Sequence, residues 1–61
     1  MIIDLTDAFD GKADEVESDD IRTMFRTSNS TTVIMFNNGM LITVLETPTE
    51  IEKLINIAKD I

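Results

Sequence analysis

The 61 residues contain no cysteine, histidine, tryptophan or tyrosine, one proline, two glycines and five basic residues. Each scarcity removes a class of explanation. Without cysteine there is no disulfide, and without cysteine or histidine there is no thiolate or imidazole zinc site. Nucleophilic or acid–base catalysis would have to come from carboxylates, hydroxyls, Lys12, Lys53, Lys59, Arg22 and Arg26. Gly11 and Gly39 are too few for a phosphate-cradling glycine loop. No apolar run reaches the length of a membrane span, and no basic region followed by an apolar one opens the chain. The expectation is a soluble, cytoplasmic, single-domain protein without catalytic residues, cofactor or metal. A chain this short buries only roughly 60% of its unfolded surface, and its core rarely supplies more than about 3–5 kcal/mol without a staple. With disulfides and zinc excluded, oligomerisation is the remaining staple.

What is present begins with a hairpin. Thr32–Asn37 and Met40–Leu45 flank Asn38-Gly39, a pair that suits a two-residue type I′ turn because both residues tolerate positive φ. That turn sets Val33, Met35, Met40, Ile42 and Val44 on one face, and Ile34, Phe36, Leu41 and Leu45 on the other. Both faces are apolar. A single helix covers one of them, so the other calls for a second chain or for more sheet.

Toward the C-terminus, Thr47-Pro48-Thr49-Glu50 carries three agreeing helix-start signals. Thr47 caps, Pro48 takes the first helical position, and Glu50 reaches back to close a capping box. Ile51, Leu54, Ile55 and Ala58 form the apolar stripe, widened by Ile57 and Ile61. Glu52, Lys53, Asn56, Lys59 and Asp60 form the wet face. Upstream, Ile2–Thr6 reads as a strand, Asp10-Gly11 as a turn, residues 16–27 as an extended region interrupted near Asp19-Asp20, and Ser28-Asn29-Ser30 as a polar turn. These readings predict an α+β fold: an antiparallel sheet of about four strands (about 2–6, 16–27, 32–37 and 40–45) with one helix over about 48–60.

Twelve acids against five bases give a net charge of −7. Asp4, Asp7, Asp10, Asp14, Glu15, Glu17, Asp19 and Asp20 fall in the first third, with Lys12 as the only base among them. Such a surface repels nucleic acid and anionic lipid and attracts basic protein surfaces. Asp14, Glu15, Glu17, Asp19 and Asp20 are therefore the candidate partner-binding edge, and the same acidity also keeps a small sticky domain dissolved. A calcium loop registered on Gly11 fails, because Thr6 and Ala8 then occupy positions that need carboxylates. Arg22 and Arg26, four apart on a strand, would lie on one side about 13 Å from each other. They either pair with Asp19 and Asp20 or converge with symmetry copies on a small anion, since guanidinium suits bidentate anion recognition. Asn29-Ser30-Thr31 fits a glycosylation sequon, which has no use without export.

The run Val16–Ile21, then Thr32-Val33-Ile34, Asn38-Gly39 and Glu46–Ile55 together resemble the small FlbD-type proteins often encoded in flagellar operons. Ile3-Asp4-Leu5-Thr6 and Gly11 fit as well, so the resemblance covers nearly the whole chain. It implies a small sheet with one C-terminal helix and brings no catalytic residues. Two departures stand out: Met40-Leu41 follow the turn where that family often has a basic residue, and the first third is heavily acidic.

Three functions follow in order. The first is a non-catalytic, self-associating protein binder, an inhibitor or adaptor of the phage or mobile-element type, acting on a host protein with a basic, nucleic-acid-handling surface. The second is an FlbD-like assembly protein of the motility apparatus, and the third an oligomer sequestering a small anionic nucleotide between subunits. The expected partners are a second copy of the chain, in a homodimer or larger closed oligomer, and a basic host protein, with no direct nucleic-acid or membrane binding. Met35, Phe36, Leu41, Ile42, Ile57 and Ile61 are the candidate self-association residues.

Overall fold

The computed structural model describes residues 1–27 and 30–59, and of Ala58 and Lys59 only the backbone. The expectations for Ser28, Asn29, Asp60 and Ile61, and for the side chains of Ala58 and Lys59, lie outside the described residues. The fold is α+β, with five strands, β1 (Ile2–Thr6), β2 (Ala13–Glu17), β3 (Ile21–Arg26), β4 (Thr32–Phe36) and β5 (Leu41–Val44), then α1 (Pro48–Lys59). The strands form two antiparallel sheets, β1-β2 and β3-β4-β5.

The extended region expected over 16–27 is thus two strands in different sheets. A 3-10 turn at Ser18–Asp20 separates them. Ser and Asp are weak strand formers, and here they let the chain bend so that the inner faces of both sheets converge on one core. The bend is held by the β4-β5 turn, where the Asn37 N–H donates to the Asp20 carbonyl (2.8 Å) and Asn37 Nδ2 to the Asp19 carbonyl (3.3 Å). The sheets also meet at a seam. Asp7 bridges Val44, the Leu45 N–H donates to the Thr6 carbonyl (2.9 Å), and the Ala8 N–H to the Thr43 carbonyl (3.0 Å).

The hairpin turn differs from expectation by one residue, with a large consequence. Phe36 N–H donates to the Met40 carbonyl and Gly39 N–H to the Phe36 carbonyl, so the loop is Asn37-Asn38-Gly39. Gly39 alone in the loop has positive φ (88°). This is a three-residue loop, a tight turn closed by a left-handed glycine, rather than type I′. The register pairs Met35 with Leu41, Ile34 with Ile42, Val33 with Thr43 and Thr32 with Val44. Directly paired residues share a face. Ile42 and Val44 therefore lie with Ile34 and Phe36, and Leu41 with Val33 and Met35. The facial grouping expected from a two-residue turn is wrong by a one-residue slip, which exchanges the faces of the whole second strand.

Buried apolar side chains come from every strand but β3, and from the helix: Ile3, Leu5, Val16, Ile34, Val44 and Ile51, each 5% exposed or less. Ile21, Met24, Phe36, Ile42, Leu54 and Ile55 pack around them. The helix start follows the sequence. Thr47 Oγ1 accepts from the Glu50 N–H (3.1 Å), and Glu50 Oε1 accepts from the Thr47 N–H (3.4 Å). Thr47→Ala is expected to lower stability by about 0.5–2 kcal/mol in urea unfolding. An unchanged midpoint would mean that packing of Ile51 alone fixes the helix start.

Candidate functional site

The acidic edge is built on two rigid pieces, β2 and the 3-10 turn after it. β2 pairs antiparallel with β1, with Leu5 opposite Asp14, Asp4 opposite Glu15, Ile3 opposite Val16 and Ile2 opposite Glu17. Asp14 and Val16 thus share the inner face with Leu5 and Ile3, while Glu15 and Glu17 lie on the outer one. The loop before β2 closes on itself. Asp7 Oδ1 accepts from the N–H groups of Phe9 (2.7 Å) and Asp10 (3.2 Å), and Asp10 Oδ1 accepts from that of Lys12 (2.9 Å). Gly11 there has φ of 71°, a conformation that glycine adopts without strain.

The five acids proposed from sequence are not equivalent. The bonds from Phe9 and Asp10 hold the Asp7 carboxyl below its usual range, so it stays ionised. Asp14 is half-buried, and desolvation, followed by the neighbouring Asp7 charge, pushes its carboxyl up. Glu17 is engaged internally, accepting a hydrogen bond and ion pair from the Met1 ammonium, which is raised by that bond. Of the five, Glu15, Asp19 and Asp20 are the exposed ones. A cleft of about 310 Å³ runs beside this edge, walled by Asp14, Glu15 and Glu17 and floored by Val16, Phe36 and Ile42. Two residues proposed for self-association, Phe36 and Ile42, thus line this open cleft, on the same sheet face as Ile34 and Val44.

Arg22 and Arg26 are both exposed on β3. The register shifts between Ile21 and Thr23, so a bulge at Arg22 interrupts the two-residue alternation assumed for the pair. Among the described residues the one ion pair is that of Met1 with Glu17, so the expected pairing with Asp19 and Asp20 is not seen. No three carboxylates among the described residues converge as a metal site.

The opposite, outer face of β3-β4-β5 carries the rest. Phe25 lies opposite Val33 and Thr23 opposite Met35, and these rows continue to Thr43 and Leu41. Phe25 is 50% exposed, Leu41 56%, and Phe9, at the end of the seam, 86%. Of the other self-association residues, Met35 is half-buried on this face and Ile57 is 64% exposed on the helix. Phe9 and Phe25 are not among the self-association residues expected from sequence, although an aromatic in an acidic turn is a signal in its own right.

No helix among the described residues is long and apolar enough to cross a membrane. No family model, curated protein or solved structure matches the chain.

Proposed function

We propose that the chain is a non-catalytic, acidic, self-associating binding module. It acts in the cytoplasm as an inhibitor or adaptor, of the kind phages and mobile elements encode, on a host protein with a basic surface that handles nucleic acid. One observation carries the reading: Glu15, Asp19 and Asp20 are exposed along a fixed frame whose turn is anchored through Asn37. Carboxylates carried on a backbone that hydrogen bonds fix meet a complementary surface with only side-chain ordering to offset. A frame of this kind presents negative charge as a phosphate backbone does, and a nucleic-acid site is the basic surface most suited to it.

The test starts from capture of host proteins on the immobilised chain at low salt, with duplex DNA as competitor. A partner of the proposed kind is displaced by DNA and by salt, because the Debye length falls from about 10 Å at 0.1 M to about 3 Å at 1 M. Glu15→Gln, Asp19→Asn and Asp20→Asn together are expected to slow association by about tenfold or more and to flatten its salt dependence. The circular dichroism spectrum should not change. Association that is as fast in the triple variant, or a partner that DNA does not displace, would reject the reading.

A further inference from the structure

We infer that the outer face of β3-β4-β5 is the contact between two copies of this chain, joined by a two-fold axis. The inference rests on the self-association in the proposed function and names its surface.

Two rows of side chains cross that face. Phe25–Val33–Thr43 continues past β5 to Ala8, whose N–H donates to the Thr43 carbonyl, and Thr23–Met35–Leu41 runs beside it. Neither row contains a charged residue, on a molecule of net charge −7. Two such molecules repel one another over most of their surfaces, and contact through an uncharged face costs least. The same neutrality argues against the basic partner here, since a basic surface would find no acid to pair with. A second copy is therefore the occupant that the charge pattern favours.

Shape agrees. Phe9 stands at the rim of a hollow of about 310 Å³ lined by Ala8, Thr27, Thr31, Val33 and Thr43. A projecting ring and a hollow within one patch are what a two-fold contact uses, because the axis places the knob of each copy over the patch of the other. Self-association would then centre on Phe25, Met35 and Leu41, with Phe9 at the rim beside Asp7 and Asp10, leaving Glu15, Asp19 and Asp20 outside the contact.

The experiment is a pair of charge variants. Phe25→Glu with Leu41→Glu, and Phe25→Lys with Leu41→Lys, alter side chains that are half exposed, so each chain should keep the wild-type circular dichroism spectrum. Sedimentation should show a wild-type dimer, and each double variant should dissociate at least about 100-fold more readily. Mixing the acidic and basic variants should restore a dimer, since the two-fold contact brings like residues of the two copies into one patch. A wild-type chain that is monomeric up to about 1 mM would overturn the inference. So would double variants as dimeric as wild type, or folded variants whose mixture stays monomeric. Glu15→Gln, Asp19→Asn and Asp20→Asn should leave the dimer intact. A wild-type chain that is monomeric yet binds its partner salt-sensitively would sink self-association and this inference, and leave the acidic docking standing. A wild-type dimer without such binding would sink only the acidic docking.

Discussion

Replacing Leu5 with Ala is expected to leave most of the chain unfolded at room temperature. Leu5 is fully buried and faces the core, as do Ile34, Val44 and Ile51, which are equally inaccessible. It directly precedes Thr6, whose carbonyl accepts the seam bond from the Leu45 N–H. Truncating a buried leucine costs about 2–5 kcal/mol, from lost transfer energy and the cavity left behind. A domain of this size has roughly 3–5 kcal/mol to lose. The measurement is urea unfolding at one fixed protein concentration, because self-association would add to apparent stability. A cooperative transition with its midpoint barely moved would show that the five strands do not share one core.

Glu46→Ala should have the second largest effect, about 2–3 kcal/mol, because it removes two hydrogen bonds to an ionised group. Glu46 Oε1 accepts from the Thr6 N–H and Oε2 from the Thr6 hydroxyl, both at 2.8 Å. These bonds tie the segment between β5 and α1 to the end of β1, beside the bond from the Leu45 N–H to the Thr6 carbonyl. Loss of the carboxylate leaves the Thr6 N–H without its acceptor and loosens the seam between the two sheets. The check is a double-mutant cycle with Thr6→Val, which removes the hydroxyl bond only. A coupling energy near zero would mean that the glutamate does not act through the Thr6 hydroxyl. Nothing in the sequence marks Glu46 for this role. It stands two residues before α1, whose own acid, Glu50, is the one the capping pattern selects.

Local signals were legible where one interaction decides the conformation. Thr47, Pro48 and Glu50 form the capping box expected of them, and α1 begins at Pro48. Ile2–Thr6 is a strand with the expected bounds, and Gly11 and Gly39 take the positive φ that their turns require. The acidic edge was legible as composition, because net charge needs no fold to be read. Its division into engaged and exposed acids was not. Asp14 is half-buried because Leu5 lies opposite it, and Glu17 is engaged because Met1 lies across the ladder. Both facts depend on pairing residues far apart in the chain.

By itself, then, the sequence determined the α+β class, the C-terminal helix and its cap, a hairpin around Gly39, and an acidic first third against an uncharged hairpin. Only the tertiary structure decided the parity of that hairpin and the splitting of residues 16–27 into two strands. The reason is the same in both cases. Asn37-Asn38-Gly39 accommodates a two-residue or a three-residue loop, and strands that are apolar on both faces give no local preference between the registers. The choice falls to burial. The three-residue loop puts Ile34 and Val44 on one face, over Leu5 and Ile51, and leaves Leu41 with Phe25 on the other. Likewise Ser18-Asp19-Asp20 tolerates an extended or a bent backbone. It bends because Val16 and Ile34 belong to different sheets and can reach the same core only around that corner.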